Sequence, residues 1–297
     1  METLEKVLPE TPKIQMVEYF NEHWYKINLL NPPEYFPSTT TKLGIIDKPF
    51  LAKWRGEIGN READYRMKEA AQKGSNIHNG WDVMTTGGAV IYQNKRNPQF
   101  TKEEIEDLYS SYLGNLAVIY EQDEQIDLWK LQEWHKRLEP EYLHSEIVLY
   151  SITHKEAGTC DKVIRVLKDG FYDINGSSKL FLNAGVYVAD LKTGKVVDDT
   201  SFMQISDYRE MAIEMGLFKR EDFSGGLIVH TGAKTRSGIK GLATILRTTE
   251  ELDQDYIDYR HASDLWLRKH KNDRPDIFEF PAVITIPKKE NTDVINI

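Results

Sequence analysis

The chain has 297 residues, 40 % of them hydrophobic and 11 % aromatic, which excludes wholesale disorder and allows a full core. No apolar run approaches the ~20 residues that a membrane-spanning helix needs, and the opening METLEKVLPETPK lacks an apolar signal core, so a soluble, cytoplasmic protein without a membrane partner is expected. The lone cysteine, Cys160, excludes an intramolecular disulfide, and a formal charge of −9 argues against nucleic acid as a partner, whereas the clustering of cations in Lys48–Lys73, Lys234–Arg247 and Arg260–Arg274 keeps that reading open.

In chain order, an amphipathic helix is predicted over Ile14–Ile27, where Ile14, Val17, Phe20 and Trp24 recur at helical spacing, so residues 1–36 read as a helical extension. Asn31-Pro32-Pro33 breaks it. Pro37-Ser38-Thr39-Thr40 then offers N-cap residues for a short helix through Ile45. Further helices are expected over Pro49–Gly56 and from about Asn60 to Val83, closed by Gly87-Gly88. Thr101-Lys-Glu-Glu104 is a capping-box pattern that opens a helical region through Arg137, kinked near Gly114 or Asp123.

From His144 the pattern turns to strands. Glu146–Thr153 and Thr159–Leu167 read as a hairpin around a loop containing Gly158. Asp169-Gly170 and Asn175-Gly176 are tight-turn signals, and Leu180–Lys192 is a strand, or two strands broken near Asn183–Gly185. Ser201–Met215 is a helix ended by Gly216. Strands at Gly226–Thr231 and Leu242–Thr248 flank a loop rich in Gly and Lys; a helix over Glu250–Lys271 and a strand over Phe278–Ile286 follow. The expected fold is α+β, one domain over residues 37–286. Its helical part, about 37–140, lies beside or over a mixed, mostly antiparallel sheet, about 144–286, and residues 287–297 form a mobile tail.

Three short patterns carry chemistry. Along Val188-Ala-Asp190-Leu191-Lys192-Thr-Gly194 side chains alternate, so Asp190 and Lys192 emerge together at the end of an apolar strand. A carboxylate there can hold Mg2+ or Mn2+, and an ammonium can orient water or stabilise a charged phosphate. Taken alone, Asp-x-Lys is also the pattern of an exposed ion pair at a strand end. Gly158-Thr-Cys-Asp161 places a second carboxylate on a strand expected to neighbour the first. Gln204-Ile-Ser-Asp-Tyr208 puts an amide and a phenol one helical turn apart, twelve residues after Lys192.

In this order the three patterns resemble the PD-(D/E)XK nuclease superfamily, and more narrowly its RecB-like branch, which includes Cas4-type, phage and mitochondrial genome maintenance exonucleases. Upstream, Ala70-Ala71-Gln-Lys-Gly74-Ser-Asn-Ile77-His78 is similar to the branch's helical histidine motif. Pro37-Ser38-Thr39-Thr40 followed by Leu51-Ala-Lys-Trp54 is similar to its N-terminal signature, and Glu146, opening the first strand, matches a glutamate often found at that strand in the family. The family's proline is missing, since Thr159-Cys160 precede Asp161. Asp161 and Asp190 stand 29 positions apart, which implies an inserted hairpin or loop between them.

The resemblance implies a restriction-endonuclease-like sheet and a divalent-metal-dependent deoxyribonuclease, an exonuclease on single-stranded or end-frayed DNA, with one or two Mg2+ or Mn2+ ions. It implies His78, Asp161, Asp190 and the Leu191 backbone carbonyl as metal ligands and Lys192 as the catalytic lysine. Glu146 would serve a second ion or stand behind the first, and Gln204 and Tyr208 would position substrate and site. One cysteine excludes the iron–sulfur cluster of Cas4-type members. DNA is the expected partner, with a replication or recombination protein beside it. A phage-encoded enzyme working in a host cytoplasm fits this reading. Residues expected to contact nucleic acid are Ser38, Thr39, Trp54, Arg55, Arg61, Lys73, Lys234, Arg236 and Lys240. The alternatives are a structure-specific endonuclease of the same superfamily and a non-catalytic DNA-binding member.

Overall fold

The computed structural model describes residues 13–19, 22–175, 178–232, 241–273 and 275. The described residues open on three antiparallel strands, β1 (Ile14–Tyr19), β2 (Glu22–Ile27) and β3 (Glu34–Pro37), paired in that order. This corrects the predicted helix over residues 14–27. The period that governs burial is two rather than 3.6: Tyr25 and Ile27 both point into a cluster with Phe36 and Ala157, and the Tyr25 hydroxyl meets Thr159 Oγ1 at 2.8 Å.

Helices α1 (Thr39–Leu43), α2 (Pro49–Ile58) and the long α3 (Asn60–Thr85) follow, then β4 (Ala89–Tyr92), α4 (Lys102–Ser111), β5 (Leu116–Ile119) and α5 (Gln122–Leu138). The capping box forms at Thr101 and Glu104 as expected. The predicted helical region through Arg137, however, is two helices separated by a strand. Leu113 (φ +52°) and Gly114 (φ +84°) take left-handed backbone, which ends α4, and the β-forming run Leu116–Ile119 then pairs in parallel with β4.

Strands β6 (Glu141–Ser151) and β7 (Glu156–Val166) form the predicted hairpin, but its turn lies at residues 152–155 and Gly158 sits inside β7. The short pair β8 (Gly170–Tyr172) and β9 (Leu180–Leu182) occupies the insertion. Next come β10 (Gly185–Lys192), α6 (Asp199–Glu214), β11 (Phe223–His230), β12 (Ala243–Arg247) and α7 (Thr249–Lys269). The central sheet runs β12-β11-β10-β7-β6; β10 and β11 are parallel, with α6 as the crossover, and the other pairs are antiparallel. The architecture is mixed α+β. The strand predicted at Phe278–Ile286 and the tail at 287–297 lie outside the described residues.

Alternation along β10 sorts two cores. Tyr187, Ala189 and Leu191 face α3 and α5, packing with Trp81, Leu131 and Trp134, while Val186 and Val188 face α6 and α7, packing with Ile205, Met211 and Leu252. Each large apolar side chain buried in this way contributes about 1.5–3 kcal/mol. Helices pack on both faces of β7 and β10, and the site grows from the middle of β7 and the end of β10. Among the described residues, no helix is long and apolar enough to cross a membrane.

Candidate metal centre

The pairing of β7 with β10 ends at Lys162–Ala189, and the two strands part beyond it. Asp161 fills the split. Its Oδ2 accepts the Leu191 N–H at 2.7 Å, so a carboxylate takes the place of the next backbone rung. His78, on the buried half of α3, brings Nδ1 to 3.3 Å from the same oxygen. Glu146 stands across from Asp161 in the β6–β7 ladder, between the pairs Ser145–Lys162 and Ile147–Cys160. Its backbone is left-handed (φ +48°), a conformation that costs a non-glycine residue about 1–3 kcal/mol. One ligand atom from each of His78, Glu146 and Asp161 lies within 4.8 Å of the others. They stand beside a cavity of about 570 Å³ whose wall is α3, with Gly74, Ser75, Asn79 and Asp82 exposed to it.

The charges of these groups are tuned against one another. Burial opposes charge on both His78 and Asp161, but their mutual attraction prevails: the imidazole is pushed up to about 9 and the carboxyl is held below its usual range. Burial, reinforced by the Asp161 charge, lifts Glu146 to about 7. Without a bound cation the cluster thus keeps a proton on His78 and draws another to Glu146 near neutrality.

A second chain of contacts runs alongside. Lys192 Nζ lies 2.7 Å from Asp190 Oδ2 and donates to Gln204 Oε1 at 2.9 Å; Gln204 Nε2 donates to the Tyr208 hydroxyl at 3.0 Å. Asp190 is buried, which raises its carboxyl to about 6 in spite of Lys192. Burial lowers the Lys192 pKa, but the carboxylates of Asp190, Asp161 and Asp198 together raise it above the ordinary value, so this lysine stays a cation. The structure therefore joins Asp190, Lys192, Gln204 and Tyr208 in one line and His78, Glu146 and Asp161 in another. Asp190 turns to Lys192 and is not one of the three mutually close ligand groups.

Tyr208 is almost wholly buried and holds Gln204 rather than facing the cavity. Its ring explains Gly158, where a methyl group would stand 2.4 Å from Tyr208 Cε1. What approaches that backbone closely is the tyrosine. The variant Gly158→Ala is accordingly expected to lose about 1–3 kcal/mol of stability through overpacking, read by urea denaturation. Unchanged stability would show that the ring is not seated on this strand.

The expected nucleic-acid residues divide sharply. Ser38 and Thr39 are buried: the Ser38 hydroxyl caps α1 by accepting Thr41 N at 2.9 Å, and Thr39 donates to Asp207 Oδ2 at 2.7 Å. That corrects their placement at a binding surface, since both hydroxyls are spent inside. Arg55 is paired with Asp64 at 2.5 Å, and Lys73 ties α3 to α5 through Asp127 at 3.3 Å and Asp123 at 3.4 Å. Trp54 is half-buried on α2, whereas Arg61 is exposed with no ion pair to a described residue. Lys234, Arg236 and Lys240 lie outside the described residues.

One cluster escaped the sequence reading. The Lys162 ammonium is fully buried, 3.2 Å from Asp82 Oδ1, in contact with Ser145 Oγ, and 5.0 Å above the Trp81 ring. The spacing of Asp82, one helical turn after His78, was the available signal. No protein-family model matches this sequence, and no curated protein matches it.

Proposed function

We propose that this chain is a cytoplasmic, divalent-metal-dependent deoxyribonuclease of the PD-(D/E)XK type, acting as an exonuclease on single strands or frayed ends. The observation that carries the proposal is the convergence of His78, Glu146 and Asp161 within 4.8 Å beside a charged, positioned lysine. One imidazole with two carboxylates is a donor set that suits Mn2+ and Mg2+. His78, Glu146 and Asp161 would hold the ion, with the Leu191 carbonyl and Asp190 beside them. A bound ion supplies Lewis acidity and charge compensation for the phosphate.

The protein's own contribution is positional and electrostatic. Asp190 keeps Lys192 charged, so the lysine offers a fixed positive charge to the phosphate's developing negative charge rather than acting as a base. Gln204 fixes the ammonium, and Tyr208 fixes Gln204. The proposal is tested by digesting end-labelled linear and circular DNA, single- and double-stranded, with Mg2+ or Mn2+. Metal-dependent release of end label is expected. Degradation of circular single strands would replace the exonuclease with an endonuclease, and binding without hydrolysis would leave a non-catalytic DNA-binding protein.

The His78–Asp161 pair sets the pH response. A pKa raised to about 9 means that the pair stabilises the metal-free protein fully below the ordinary histidine value, and that this stability fades as pH rises through about 9. A cation needs the neutral imidazole and the ionised Glu146, so Mn2+ affinity is expected to climb from pH 6.5 to 8, by about tenfold per unit from His78 and more steeply near pH 7, where Glu146 also releases its proton. Isothermal titration in two buffers of different ionisation heat would read the released proton. A pH-independent affinity would remove His78 from the ligand set.

A further inference from the structure

The half of α3 that precedes the cavity is bare: residues 64–72 are all exposed, and α2 reaches it through Arg55, which meets Asp64 and Met67. Most of its charges are consumed locally. Arg66 pairs with Glu62 at 2.7 Å, Asp64 with Arg55 at 2.5 Å, and Glu69 accepts the Tyr65 hydroxyl at 2.6 Å. Arg61 and Lys68 are left without an ion pair to any described residue.

Their positions share a rule. Arg61, Lys68, Ser75 and Asp82 follow one another in steps of seven residues. Two turns of helix take about 7.2 residues, so the four side chains lie on one stripe that drifts by only about 20° per step. Ser75 and Asp82 line the cavity beside His78 and Glu146. The two unpaired cations thus continue the cavity wall outward at intervals of about 10.5 Å, the rise of seven residues. The helix surface between them and the metal centre is kept low by Ala71 and Gly74, which also line the cavity.

We infer that this stripe is a track for a DNA strand, with Lys68 and then Arg61 each taking a backbone phosphate of the segment that lies outside the metal centre. The inference rests on the proposed function for the identity of the polyanion. At about 3.4 Å per nucleotide of stacked strand, the interval between the two cations spans about three nucleotides. Contacts of this kind add affinity without reading sequence.

The test is the salt dependence of binding of a fluorescein-labelled single-stranded oligonucleotide in Ca2+, followed by anisotropy. The double variant Arg61→Glu, Lys68→Glu should lose about tenfold in affinity and flatten the log–log salt slope by about 1.4, at about 0.7 per phosphate contact. Arg66→Glu, which changes a cation on the opposite face, should change neither. Cleavage of a dinucleotide, too short to reach the stripe, should be unaffected by the double variant. An unchanged slope in the double variant, or an equal loss in Arg66→Glu, overturns the track. If wild-type protein binds with the full slope yet cleaves nothing in Mg2+ or Mn2+, the nuclease proposal fails and the track stands. If wild-type protein does not bind, both fail.

Discussion

Lys192→Ala is expected to lower the rate of Mn2+-dependent DNA hydrolysis by about 10²–10³-fold, the usual cost of removing one preorganised electrostatic stabiliser. The loss should fall on kcat, with KM changed only slightly, because Lys192 stands outside the three converging ligand groups. Its ammonium lies 2.7 Å from a carboxylate that is only 1 % exposed, so the alanine variant leaves Asp190 buried without its cation. Asp190, already at about 6, then rises further and is neutral at pH 7. Lys192→Arg separates charge from position: it keeps the cation but cannot reproduce the single contact to Gln204 Oε1, and should recover only part of the rate. Circular dichroism would establish that each variant is folded. Activity of Lys192→Ala within a few-fold of wild type would sink the electrostatic role.

The largest effect on stability is expected far from the cavity, at Glu156. This carboxylate is fully buried where α1, β7, α6 and α7 meet. Lys42 Nζ lies 2.6 Å from Oε2, the Tyr259 hydroxyl donates to it at 2.9 Å, and Arg260 donates to Oε1 at 2.9 Å. Neighbouring Asp207 is pushed well above the carboxylate range by its burial and by the Glu156 charge. Removing Glu156 leaves the Lys42 ammonium, itself with no exposed surface, uncompensated in the interior. Glu156→Ala should therefore cost about 3–5 kcal/mol, as breaking one side of a buried pair does. Replacing both partners with apolar residues, Glu156→Leu with Lys42→Met, should recover much of that loss. Urea denaturation followed by circular dichroism decides it: a single-variant loss near zero would mean that water reaches the pair.

Local chemistry was legible wherever a signal is short-range. The capping box at Thr101, the Gly-marked end of α6, the β6–β7 hairpin and the alternation of β10 all depend on neighbours within a few residues. The β1–β2 hairpin and the strand β5 were not legible, because their burial is decided by partners far along the chain: Phe36 and Ala157 for one, β4 for the other. Ser38 and Thr39 misled for the same reason. A hydroxyl looks the same in sequence whether it faces solvent or caps a buried helix.

The sequence alone determined which groups are available: Asp161, Asp190 and Lys192 on adjacent strands, His78 on a helix, and Gln204 and Tyr208 one turn apart. Period-two and period-3.6 geometry follow from backbone dihedrals that every chain obeys. Only the tertiary structure decided how they are grouped. The parting of β7 from β10 gives Asp161 to His78 and Glu146, while Asp190, on the same strand as Lys192, turns to the lysine. Tertiary packing also chose, among cations equivalent in sequence, which are spent in ion pairs, as Arg55 and Lys73 are, and which have no ion pair to a described residue, as Arg61 and Lys68. Side-chain charge is a property of the residue, but the partner that neutralises it is brought there by the fold.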